Sequence, residues 1–183
     1  ERLPRRDAGA MLLIEVDGST IEQVEADYSA IIDLCLESGA LDIYVGNSPA
    51  DVRKMWLPRQ KMAEGLTIKY PVQSAEDIVV PPAAIPTLLA QMADFDREHG
   101  TTTIAYGHAG DGNLHLRLIK QPSVSLDLWH AGEQMLHEDL YRLVRELGGT
   151  ISAEHGIGVK LKQYLPLALA PEMIALQRRI KDA

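Results

Sequence analysis

The chain is 183 residues long, 46% hydrophobic and 24% charged, a globular composition with length for one domain with a sizeable core or two very small ones. Eighteen Lys and Arg against 26 Asp and Glu leave a formal net charge of −8, which argues against tracking a phosphate backbone or an anionic membrane face. The single cysteine, Cys35, excludes an intrachain disulfide framework and a Cys-rich zinc module, and no apolar run nears the ~20 residues of a transmembrane helix.

The chain opens on the basic stretch Glu1 to Arg6 without an initiator Met and stops at Ala183 without a Gly or Pro stop, so both ends are expected to be cuts in a longer polypeptide. Ala10 to Val16 predicts a strand that stops at Asp17-Gly18. Ser19 and Glu22 have the spacing of a capping box, and Ile21, Val24, Tyr28, Ile31, Ile32 and Cys35 recur at helical intervals up to Gly39. Leu41 to Val45 predicts a second strand, leading through Gly46-Asn47 to Ser48 as N-cap and Pro49 at the first helical position. The following stretch to Glu64 is basic, with Arg53, Lys54, Arg59 and Lys61 on a solvated or partner-facing side, and Pro58 is expected to break it.

Asp77 to Val80 predicts a short strand, and a helix follows Pro81-Pro82 as far as His99 and Gly100. Strands over Thr101 to Ala109 and Leu114 to Ile119 flank Gly110-Asp111-Gly112-Asn113. A long amphipathic helix then buries Trp129, Leu136, Leu140, Leu143, Val144 and Leu147 and ends at Gly148-Gly149. Its His130, Glu133 and His137 are expected on a solvated face. Thr150 to Ala153 predicts a last strand and Pro171 opens a last helix, while Met11, Met62, Met92 and Met135 are expected as core filler. This order mixes hairpins with crossovers and predicts an α+β domain: a largely antiparallel sheet with helices packed on one face, built from ferredoxin-like units.

Asp-Gly between two strand patterns predicts a two-residue turn. With Asp111 and Gly112 at its centre, Gly110 pairs with Asn113, Ala109 with Leu114 and His108 with His115. Leu114, Leu116 and Leu118 then take the core side, with Ala105, Gly107 and Ala109 as their small partners. His108, His115, Tyr106 and Arg117 share the other face. Glu154-His155, at a strand end followed by Gly156 and Gly158, supplies a carboxylate beside an imidazole. Two His and one Glu make a three-ligand set with an open position, as in catalytic metal sites. Zinc suits these ligands, and iron or manganese is the alternative. Read by itself, the histidine pair favours a hydrogen-bonded surface feature over a metal site, and Glu154-His155 brings the two readings level. Arg117 is the cation able to turn the local field toward an anionic acid despite the net charge.

Gly107 to His115 (GHAGDGNLH) followed by Ser152 to Gly158 (SAEHGIG), with Leu13 to Gly18 and Glu76 to Pro81 in support, resembles the C-terminal domain of the FAD-linked oxidases. That family includes the flavin subunit of glycolate oxidase, D-lactate dehydrogenase and D-2-hydroxyglutarate dehydrogenase. The resemblance covers nearly the whole chain. It implies a single cap or substrate domain over 1–183, with the FAD-binding domain upstream in the same parent chain. It implies that His108, His115 and Glu154 bind a divalent metal, that Asn113 contacts substrate, and that His155 takes the hydroxyl proton of a 2-hydroxy acid as hydride passes to flavin. FAD as cofactor, an electron-transfer subunit as partner and a cytoplasmic place, peripheral to the inner membrane through partner subunits, follow from the same resemblance. As a fragment the chain is expected to be inactive. Leu161 stands where the family often has Lys, with Lys160 and Lys162 beside it, and the family's C-terminal Asp-Pro and Asn-Pro-Gly-Lys stretch is absent. From the residues alone, a stand-alone metal-dependent hydrolase or lyase, or a ferredoxin-like binding module, is the alternative.

Overall fold

The computed structural model describes residues 7–46 and 48–183, so Asn47 and the basic opening stretch lie outside the described residues. The chain divides into two compact units, Glu1–Leu66 and Thr67–Ala183.

In the first unit, α1 (Ile21–Glu37) is capped by Thr20, whose Oγ1 accepts from the Gln23 N–H at 3.2 Å, one residue later than the Ser19 of the capping-box reading. The α2 helix (Pro49–Lys69) starts as expected, with Ser48 Oγ accepting from the Asp51 N–H at 3.1 Å. It runs through Pro58 instead of breaking there. A proline deletes one intrahelical donor, and on an exposed helix water can take the carbonyl so freed. The expected strands Ala10 to Val16 and Leu41 to Val45 are coil, because an apolar run becomes a strand only when a neighbour completes its ladder. No described residue of this unit is buried; along the apolar stripe of α1 Val24, Tyr28, Ile31, Ile32 and Cys35 are partly buried and Ile21 is exposed.

The second unit is a three-stranded antiparallel sheet in the order β1-β3-β2, formed by β1 (Gln73–Val79), β2 (Thr101–His108) and β3 (Asn113–Lys120). Ile78, Leu114, Leu116 and Leu118 turn to one face and form the core with Leu88, Met92 and Phe95 of α3 (Ile85–His99) and with Trp129, Leu136, Leu140, Tyr141 and Val144 of α4 (Leu126–Glu146). The α+β class with helices on one face of an antiparallel sheet therefore stands; three strands in this order do not establish a ferredoxin-like unit. Gly100 ends α3 at φ +63°, and the Asp96 carboxylate ties that end to β2 through the Thr101 and Thr103 hydroxyls and the Thr103 N–H. The short α5 (Leu165–Ala168) and α6 (Pro171–Asp182) complete the chain. Of the four methionines read as core filler, Met92 alone lies in the core; Met11 and Met135 are exposed.

The β2–β3 register is shifted by two from the expected one: His108 lies opposite Asn113, Gly107 opposite Leu114, and Tyr106 opposite His115. Asp111 keeps negative φ, so the two-residue turn, which needs positive φ twice, does not form. Residues 109–112 make the loop instead. Gly112 (φ +80°) accepts from the Val80 N–H at 3.1 Å, and a Cβ on it would lie 1.9 Å from the Val80 carbonyl oxygen. The expected strand at Thr150 to Ala153 shrinks to one antiparallel bridge, Thr150 with Val79. Beyond that bridge the backbone donors go to a side chain rather than to a ladder.

Candidate functional site

Alternation along the three strands puts three rows of side chains on the face away from the core: Val79, Asn113 and His108; Asp77, His115 and Tyr106; Ala75, Arg117 and Ile104. A shift of two preserves the face, so His108 and His115 still share it, as diagonal rather than opposed neighbours with ring centroids 6.5 Å apart. Tyr106 is the residue opposite His115, with centroids 5.3 Å apart, and its hydroxyl accepts from Arg117 Nε at 3.1 Å.

The segment after Thr150 is fastened onto this face by Asp77. Its Oδ2 accepts from the N–H groups of Ala153, Glu154 and His155 at 3.0, 2.9 and 2.9 Å, and from Ser152 Oγ at 3.2 Å. Burial pushes the Asp77 carboxyl up, but the N–H donors of His155, Glu154 and Ala153 and the neighbouring His155 ring outweigh it and hold it below the ordinary carboxylate value. The result is a cluster in which ligand atoms of Asp77, His115, Glu154 and His155 all lie within 4.8 Å of one another. His115 Nε2 is 3.3 Å from Glu154 Oε1, and His115 Nδ1 is 3.6 Å from Asp77 Oδ1. The His155 ring stacks on His115 at 5.2 Å and 15°. A cleft of about 250 Å³ opens beside it, lined by Asp77, His155, Gly156, Gly158 and Lys160 among others.

Of the residues expected at the site, His115, Glu154 and His155 are thus brought into contact. His108 lies one row along and outside the four-residue cluster, and Asn113 and Arg117 lie on the same face. Asn113 is buried, with its side-chain Oδ1 unpartnered. Sequence reasoning missed Asp77, 76 to 78 residues away from the amides it binds; the available signal was an acidic pair, Glu76-Asp77, leading an apolar strand. Leu161 is buried in the core, and Lys160 turns to Glu76 at 2.6 Å. His137 is not on the expected solvated face: it is buried, with Nε2 3.2 Å from Glu76 Oε1, whereas His130 is exposed.

Two carboxylates and two imidazoles converging at a cleft form an acidic, nitrogen- and oxygen-donating pocket suited to a divalent cation. Asp77 Oδ1 supplies the fit: it is buried, has no hydrogen-bond partner, and lies beside His115 within the cluster.

The sequence model described as "FAD linked oxidases, C-terminal domain" matches residues 1–183. The chain is 30% identical to D-lactate dehydrogenase of Anaerostipes hadrus, over 100% of this chain and 38% of that protein. It is 29% identical to glycolate oxidase subunit GlcD of Bacillus subtilis (strain 168), over 96% and 37%, and 28% identical to D-2-hydroxyglutarate dehydrogenase of Stutzerimonas stutzeri (strain A1501), over 92% and 36%. The chain therefore spans little more than a third of the length of these relatives.

Proposed function

The chain belongs to the family of FAD-linked oxidase C-terminal domains, and from that premise we propose that it is the substrate- and metal-binding part of an FAD-dependent 2-hydroxy-acid dehydrogenase or oxidase of the glycolate or D-lactate type. The observation that carries this reading is the convergence of His115, Glu154 and His155 on a buried, unsatisfied carboxylate oxygen of Asp77. The names of the relatives support the 2-hydroxy-acid class. The parent chain supplies an FAD-binding domain in this reading, an electron-transfer subunit is its partner, and its place is cytoplasmic.

His115 and Glu154 would hold the cation from two elements, β3 and the loop, with Asp77 Oδ1 beside them, and His108 would complete the set from β2. Zinc suits these donors, with manganese or iron as alternatives. When bound, the cation would supply Lewis acidity at the substrate hydroxyl, and flavin carried by the rest of the parent would supply the hydride acceptor. Asn113 and Arg117 orient the acid. Arg117 is held by Tyr106 through Nε, which leaves its terminal nitrogens to meet a carboxylate. The hydroxyl proton passes to His155, whose imidazole serves as the general base. The ring has Glu154 Oε1 3.6 Å from Nε2 and Asp77 Oδ2 3.9 Å from Nδ1, carboxylates that face the charge it acquires. Loss of one proton to His155 and one hydride to flavin leaves the 2-oxo acid.

Calorimetric titration with Zn²⁺ tests the site: His115→Ala and Glu154→Ala are expected to weaken binding at least about tenfold. Undiminished affinity in both would overturn it. Turnover of 2-hydroxy acids by the chain with metal and no flavin would favour a lyase instead.

A further inference from the structure

Glu76 and Asp77 are consecutive residues of β1 on opposite faces of the sheet, and each grips one end of the segment that carries Glu154 and His155. Asp77 takes the beginning, through the amides of Ala153 to His155. Glu76 takes the end. Lys160 Nζ lies 2.6 Å from Glu76 Oε1, 2.8 Å from the Ala75 carbonyl oxygen and 3.4 Å from Ser74 Oγ. Glu76 is itself held by the Ser74 hydroxyl at 2.5 Å, His137 Nε2 at 3.2 Å and the Tyr141 hydroxyl at 2.5 Å; His137 Nδ1 meets the Tyr164 hydroxyl at 3.3 Å. Ser74, Glu76, His137, Tyr141 and Tyr164 are all buried between the sheet and its helical cover.

We propose that Lys160 is a positioning residue for the site: its bond to the Glu76 network is the second anchor of residues 152–160 and fixes Glu154 and His155 against His115. The metal half of this inference rests on the reading of the site proposed above. The need for a second anchor lies between the two grips. Gly156 and Gly158 both have positive φ, +79° and +53°, with open space where a Cβ would stand, so between the grips only the Ser152 hydroxyl on the Gly156 N–H at 2.8 Å and the partly buried Ile157 restrain that stretch. Glu154 and His155 are themselves 50% and 64% exposed. Their side chains touch the sheet mainly through His115, at 3.3 Å from Glu154 Oε1 and in the ring stack with His155, so the backbone at either end sets where they stand.

The sign of one substitution separates an anchor from a charge. If Lys160 acted only as a positive charge near a cation site, removing it would tighten metal binding; if it anchors the loop, removing it loosens binding. Lys160→Met retains most of the aliphatic stem, and Lys160→Arg retains the anchor. Amide hydrogen exchange without metal and Co²⁺ titration are measured on both variants of the full chain. In Lys160→Met, Ala153, Glu154 and His155 should exchange about tenfold faster while Leu140 and Val144 in α4 stay unchanged, and Co²⁺ should bind about tenfold more weakly. Lys160→Arg should restore both. Unchanged exchange at the three amides, tighter Co²⁺ binding, or acceleration spread equally over α4 would each overturn the proposal. If the unsubstituted chain takes no Co²⁺, the metal reading fails by itself, and the exchange comparison still decides the anchor.

Discussion

The two acidic neighbours Glu76 and Asp77 have the same charge and different tasks because a strand turns successive side chains to opposite faces. Burial pushes the Glu76 carboxyl up, but the His137 hydrogen bond, the Lys160 charge and hydrogen bond, and the Ser74 hydroxyl outweigh it and lower it from 4.5 to about 2. Burial, with Glu76 beside it, pushes the Tyr141 hydroxyl up and keeps it a donor. A folded-state value below the unfolded one means that the unfolded chain binds protons first as the solution is acidified. The stabilisation from Glu76 is therefore fully present above about pH 4.5 and lost as pH falls toward about 2. It amounts to something on the order of 3 kcal/mol. Urea unfolding at pH 6 and pH 3 should show a smaller loss of stability for Glu76→Gln than for the unsubstituted chain. An equal loss would show that other carboxylates set the acid limit. Asp77→Ala should abolish protection of the Ala153 to His155 amides and weaken Zn²⁺ binding by about tenfold or more, read by exchange and calorimetry. Neither residue's role was legible beforehand, since partners 61 to 84 residues away leave no periodic mark.

At the scale of elements, the β2–β3 hairpin divides what is local from what is not. Leucines at 114, 116 and 118 alternating with His115 and Arg117 were enough to assign each residue to a face, and the structure keeps that assignment. Alternation has period two, so it cannot distinguish registers that differ by two. The choice fell to the turn, where Gly112 packs against the end of β1, a neighbour distant in sequence. Gly112→Ala should cost about 1–3 kcal/mol in urea unfolding, because the new methyl group meets the Val80 carbonyl in a backbone conformation that L residues avoid. Leu140→Ala, in a side chain of α4 that is fully buried, should cost about 2–5 kcal/mol by the same measurement. The helices were the most readable elements: α3 starts soon after Pro81-Pro82, and α3 and α4 end close to where their glycines predicted, since such stop signals act within one turn.

For the whole molecule, burial is concentrated in the unit Thr67–Ala183, while no described residue of Glu1–Leu66 is buried and Leu12, Ile21, Leu34 and Leu41 are 84, 74, 63 and 62% exposed. Limited proteolysis of the chain should therefore cut within Glu1–Leu66 well before it cuts the second unit, as mass spectrometry of the products would show. Equal resistance of both units would refute this. No helix among the described residues is long and apolar enough to cross a membrane. By itself the sequence determined the family, the α+β class, the two-faced hairpin and the candidate residues His108, His115, Glu154 and His155, of which the last three meet in one cluster. These are properties of composition, order and local periodicity. Only the tertiary structure decided that Asp77 and Lys160 hold the loop, that His137 is buried against Glu76, and that Tyr106 rather than His108 lies opposite His115. Those choices are set by which distant segments pack together, a competition among long-range contacts that spacing along the chain does not record.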